Sequence, residues 1–163
     1  MRELRGDFAA RGRRFAVAAA RFNELVVGKL VEGAVTCLEA HGVAEDDLDI
    51  AWVPGAFELP LAARMLAATG TYDAVLCLGA VIRGETAHFD HVAGQAAAGI
   101  REAAEATGVP VIFGVLTTDT LQQAMDRAGG KYGNKGWDAA MAAMEMASLL
   151  EQVPKDADRG GRP

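Results

Sequence analysis

The chain has 163 residues, 51% of them hydrophobic and 23% charged, enough to close one ordinary globular core. A net charge of −6 and a pI near 5.0 argue against nucleic acid as the main partner, because phosphate backbones recruit basic surfaces. No apolar run reaches the length of a membrane span, and the basic stretch MRELRGDFAARGRRF lacks the apolar core of a signal peptide.

Residues 1–14 read as a flexible lead-in. Phe15–Ala20 is a short apolar run of strand type. Asn23 then stands where a helix cap is wanted, before Val26, Val27, Leu30, Val31, Ala34 and Leu38, which recur at helical spacing and stop near Gly42. Leu48–Val53 is a second strand, closed by Pro54 and Gly55, and Phe57–Ala68 follows as a helix. Tyr72–Ile82 is a continuous apolar run, the pattern of a strand buried on both faces of a parallel sheet. Ala87–Thr107 is a helix rich in alanine, with Gly94 and Gly99 predicting a close neighbour along its backbone. Pro110–Leu116 is a fourth strand. Helices near Leu121–Ala128 and over Asn134–Gln152 flank the stretch GGKYGNKG, and PKDADRGGRP, within residues 153–163, reads as a disordered polar tail. Cys77 falls inside the third strand and Cys37 inside the first helix; both read as inert buried thiols, and with no CxxC pair a reducing cytoplasm is expected.

Alternating strands and helices predict a single α/β domain over residues 15–152, with one four-stranded parallel sheet covered on both faces. Such sheets bind ligands beyond the carboxyl ends of their strands. Beyond the first strand stand Arg21, Phe22 and Asn23. Beyond the second stand Pro54 to Glu58, beyond the third Arg83 to His88, and beyond the fourth Thr117 to Asp119. The unusual chemistry of the chain therefore collects on one edge.

Gly84-Glu85-Thr86 lies between a strand and a helix start, where backbone N–H groups and the helix dipole favour an anion; simple helix capping explains the same residues. His88 follows in the first turn, and a neutral imidazole there can accept and return a proton near neutral pH. A structural histidine is its alternative reading. Phe22 offers a flat face for a heterocycle, or a core ring. Glu58 suits polyol hydroxyls, or merely the helix dipole. Arg127, Lys131 and Lys135 surround the glycine-rich turn and can neutralise a phosphate, or form a solvated cluster. Phe113 reads as core. His88, Asp90 and His91 diverge too far around a helix for a good metal set.

Five stretches in this order, ARFNE (20–24), VPGAFELP (53–60), GAVIRGETAHFDHV (79–92), GVLTTDT (114–120) and DRAGGKYGNKG (126–136), resemble the 6,7-dimethyl-8-ribityllumazine synthase family. The resemblance covers about Phe15 to Leu150. It implies a flavodoxin-like three-layer α/β/α fold and a transferase of riboflavin biosynthesis. Such an enzyme condenses 5-amino-6-(D-ribitylamino)uracil with 3,4-dihydroxy-2-butanone 4-phosphate and needs no metal or organic cofactor. It assigns Phe22 to stacking on the pyrimidine. Ala56, Phe57 and Glu58 would grip the ribitylaminouracil, and Ala80, Val81 and Ile82 would touch the heterocycle through their backbone. Glu85 and Thr86 would hold the butanone phosphate, with Glu85 contributing its N–H, and His88 would transfer protons. Arg127 would bind phosphate with Lys135 nearby, while Phe113 would come from a neighbouring subunit; His91 receives no role. Family members form pentamers, and the short GGKYGNKG connection is similar to that of members that assemble twelve pentamers into a shell. A related riboflavin synthase, a flavin-storage protein and a flavodoxin-like electron carrier are the competing readings.

Overall fold

The computed structural model describes residues 1–155; residues 156–163, most of the expected tail, lie outside the described residues. Four parallel strands, β1 (Phe15–Ala20), β2 (Leu48–Val53), β3 (Ala74–Ile82) and β4 (Val111–Thr118), form one sheet in the order β2-β1-β3-β4. Helices α1 (Glu24–Ala40), α2 (Leu59–Ala68), α3 (His88–Thr107), α4 (Leu121–Asp126) and α5 (Lys135–Gln152) complete a three-layer α/β/α arrangement. The expected fold class is thus the observed one.

The strand period of two builds both layers. In β1, Phe15, Val17 and Ala19 enter the core shared with α1 and α5, among Val27, Leu30, Leu38 and Met144. Ala16, Ala18 and Ala20 enter the core under α2 and α3, among Leu59, Ala63, Ala96 and Ile100. All six are buried, and each large side chain fully removed from water contributes roughly 1.5–3 kcal/mol. Alanine on the α2/α3 side leaves room for those helices to come close. Cys37 lies in the first core and Cys77 in the second, both as free thiols. Burial pushes the Cys37 thiol up to about 11, with a smaller contribution from Asp138. Burial alone pushes Cys77 up to about 12.

Glycine sets two helix contacts. A Cβ on Gly136 of α5 would run into the Leu30 carbonyl of α1, and one on Gly99 of α3 would sit 2.7 Å from Pro60 of α2. The close neighbour expected for α3 is therefore real at Gly99. Within one chain Gly94 faces no atom within 4 Å.

Several boundaries move. Phe57 and Glu58 belong to a 3-10 turn, Ala56–Glu58, and α2 begins only at Leu59, with a proline in its first turn. β4 runs two residues further than expected, so Thr117 and Thr118 close the strand rather than follow it. Ala128 and the GGKYGNKG stretch after it form a small antiparallel hairpin of β5 (Ala128–Gly130) and β6 (Gly133–Asn134), and Asn134 caps α5 through its side chain. Residues 6–13, expected to be flexible, lie along α5. Arg13 donates to both carboxylate oxygens of Glu151 at 2.6 and 2.9 Å. The Ser148 hydroxyl donates to Asp7 at 2.9 Å. No described helix is long and apolar enough to cross a membrane.

Candidate active site

The strand ends converge because the loops beyond them are tied to one another. Arg21 N–H donates to Val53 O at 2.8 Å and Phe22 N–H to Pro54 O at 3.1 Å, which joins the loop after β1 to the loop after β2. Asn23 makes the next tie, and it corrects the expected cap. It stands at the start of α1 in the left-handed region (φ 61°), but its side chain makes no capping bond. Its carbonyl receives the first helical N–H groups, from Val26 and Val27. Its Nδ2 instead donates to the Ala80 carbonyl at 2.8 Å.

The register explains why that carbonyl needs a donor. β1 pairs with β3 only as far as Ala19 opposite Leu78, whereas β3 continues beside β4 to Ile82 opposite Thr118. The final residues of β3 project beyond β1, and the Asn23 amide takes the place of a strand partner.

Two adjoining cavities open there. One of about 540 Å³ is lined by Phe22, Ala56, Phe57, Glu58, His88 and His91, among others. A second of about 230 Å³ reaches down to Ala80, Val81 and Ile82, with Gly84, Thr86 and Phe89 on its wall. Phe22, Ala56, His88 and Val92 border both, so the two are parts of one groove. Phe22 is 71% exposed and Phe57 58% exposed; neither is a core ring. Sequence reasoning missed Val92 as a lining residue and left His91 without a role, although both share a helix face with His88 at spacings of four and three.

The loop over residues 83–87 is exposed throughout. Thr86 Oγ1 accepts the His88 N–H at a long 3.4 Å, a weak turn contact that stops short of a full cap. Glu85 is exposed and does not border the groove. Arg83, at the loop's start, is engaged on three sides. Its Nε donates to Asp119 Oδ1 at 2.9 Å, its Nη1 lies 3.6 Å from Asp90 Oδ1, and its guanidinium stacks 4.4 Å from the Phe89 ring centre. The Asp119 bond, ahead of the Asp90 charge, holds that guanidinium still more firmly protonated.

Phe113, Arg127 and Lys135 do not join this groove. They line a separate cavity of about 580 Å³ along the edge strand β4, with Thr117, Tyr132 and Asp138. Phe113 is 41% exposed on that edge, which corrects its reading as a core residue from spacing alone. Arg127 ends α4, donates to the Gln123 carbonyl at 3.0 Å and lies 4.9 Å over the Tyr132 ring. Lys135 is held beside it by its own N–H, which donates to the Arg127 carbonyl at 2.8 Å. Among the described residues no group of three potential metal ligands comes together.

The groove thus offers an aromatic face, carbonyl and carboxylate acceptors, a helix start and an imidazole. The separate cavity along β4 offers two cations and two aromatic rings. Residues 12–151 match the family model described as 6,7-dimethyl-8-ribityllumazine synthase.

Proposed function

The chain belongs to the 6,7-dimethyl-8-ribityllumazine synthase family, and on that premise we propose how its site works. The 5-amino group of the ribitylaminouracil attacks the ketone of the butanone phosphate, and water leaves as an imine forms. Elimination then releases inorganic phosphate. The enol that elimination leaves tautomerises to a ketone at the former hydroxyl-bearing carbon; the ribitylamino nitrogen closes the second ring onto that carbon, and a second water leaves.

Each step finds a residue. The exposed Phe22 ring stacks on the pyrimidine, and Glu58 accepts hydrogen bonds from the ribityl hydroxyls beside Ala56 and Phe57. Backbone groups of Ala80–Ile82 fix the heterocycle. The N–H groups of Gly84–Thr86, with the start of α3, receive the phosphate. His88 moves protons during imine formation and elimination, a role that supplies about 10²–10⁴-fold.

The observation that carries this reading is the division of the chemistry between two cavities. One chain's groove holds the uracil-type surfaces and the proton carrier, while Phe113, Arg127 and Lys135 lie along the sheet edge. A neighbouring subunit would bring that edge to the groove and complete the phosphate site. Pentamers are the proposed unit, and the short connection before α5 favours twelve of them in a shell.

The test is a mixing experiment with both substrates and lumazine fluorescence as readout. His88→Ala and Arg127→Ala proteins are each assayed alone, then after joint unfolding and reassembly. If sites are shared, mixed oligomers contain some pockets with both native halves, and activity returns above that of either parent. A site confined to one chain allows no such recovery. A wild-type rate equal to the uncatalysed background would remove the synthase reading and turn attention to flavin storage.

A further inference from the structure

Arg83 follows directly on the last residue of β3 and does not itself line the groove; of the side chains it touches, only Phe89 stands on the groove wall. Asp119 holds it from the loop after β4, Asp90 from the first turn of α3, and Phe89 from the same turn. Its own N–H donates to the Thr118 carbonyl at 2.8 Å. Four anchors thus fix one end of the exposed loop that runs through Gly84, Glu85 and Thr86 to His88. Among the described residues, the backbone from 84 to 87 has few other ties: the weak bond from His88 N–H to Thr86, and helical bonds to the Ala87 carbonyl.

We propose that Arg83 is a positioning residue for phosphate capture: it clasps the ends of β3 and β4 to the start of α3 and so presets the loop that receives the phosphate. This rests on the synthase reading. Arg83 does not touch the phosphate itself. Its guanidinium already serves two carboxylates, and their negative charge disfavours an anion at that spot. Only a planar fork can bridge two carboxylates and stack on a ring together, so lysine is a poor replacement. Without the clasp, the loop adopts its binding form for only a fraction of the time, and apparent affinity falls by that fraction.

The test measures steady-state kinetics for each substrate in the full-length wild type and in Arg83→Met, Arg83→Lys and Asp119→Asn, with amide hydrogen exchange over residues 84–88. Arg83→Met is expected to raise the KM for the butanone phosphate about tenfold. The KM for the ribitylaminouracil should stay within about twofold, with exchange faster in the loop alone. Lysine rescues only part, and Asp119→Asn shifts the phosphate KM upward in the same sense. A fall of that KM in Asp119→Asn would mean that the released arginine grips phosphate directly, which overturns the proposal. Equal rises for both substrates, or unchanged loop exchange, overturn it as well. Should Arg83→Met fail to fold, the lysine and Asp119 variants must show the same selective pattern. Absence of wild-type turnover would instead sink the synthase reading, and loop exchange would then decide the clasp by itself.

Discussion

Asn23→Ala separates two physical roles that one side chain plays. The native amide donates to the Ala80 carbonyl at 2.8 Å, and the residue stands at φ 61°. Alanine loses the hydrogen bond, a net loss of about 1 kcal/mol, and more where the stranded carbonyl stays dry. Alanine also tolerates the left-handed region poorly, at about 1–2 kcal/mol, whereas asparagine visits it readily. The sum is about 2–3 kcal/mol. Asn23→Gly loses the same bond but escapes the backbone cost, so it should be about 1 kcal/mol less damaging. For a domain of this size each kcal/mol moves Tm by roughly 2–4 °C. Thermal unfolding at matched protein concentration, needed if assembly contributes to stability, reads the three proteins side by side. Lumazine formation should suffer in both variants, since Phe22 hangs from the same loop. The reasoning is refuted if glycine proves as harmful as alanine, or if alanine shifts stability by less than about 0.5 kcal/mol.

Other outcomes follow from the packing and the charges. Gly136→Ala should destabilise by at least about 1–3 kcal/mol, because the added methyl meets the Leu30 backbone rather than a movable side chain. In the isolated subunit Gly94→Ala should be neutral or stabilising by up to about 1 kcal/mol, having open space and better helix propensity; denaturant unfolding compares the two. His88→Ala should slow lumazine formation at least about tenfold while lumazine still binds, as followed by fluorescence titration. Acid should loosen the N-terminal segment from α5. The Arg13 hydrogen bond depresses Glu151 below its ordinary 4.5, and hydrogen bonds from Ala9 and then Ser148 depress Asp7 below 3.8. Both carboxylates stabilise the segment at pH above those ordinary values, and the contribution fades as pH falls through the lower folded-state ones. Protection of the amides of residues 6–13, taken relative to their intrinsic exchange rate at each pH, should therefore fall on descent from about pH 4.5, and less steeply in Asp7→Asn, which has already lost one charge.

Much of this architecture can be read from residue order. β1 begins and ends where its apolar run does, because a strand walled by helices on both sides has no polar face to blur its limits, and the edge strand β2 keeps the expected bounds by pairing with β1 along its whole length. The groove was foreseeable for a related reason: parallel strands deliver whatever follows them to one edge, so Phe22, Glu58 and His88 had to be neighbours. What escaped were relations with no local period. The β5–β6 hairpin is built of glycines that carry no apolar alternation. Asn23 sits at a cap position but uses its amide on a strand 57 residues away, a choice set by the unequal lengths of β1 and β3. The Arg83 clasp joins residues 36 apart in sequence, and the charges that compose it look like any surface charges until the sheet register is known.

The two buried thiols give the protein a pair of internal clocks. Cys37 and Cys77 lie in different layers, one on either face of the sheet, and each is a protonated, unreactive group while its layer stays closed. Alkylation therefore counts openings layer by layer. Equal labelling rates would mean that the helices on both sides of the sheet let go in one cooperative event; a faster Cys37 would mean that the α1/α5 layer breathes by itself. With no other cysteine in the chain to compete, a single mass spectrum taken over a labelling time course tells these two modes of unfolding apart.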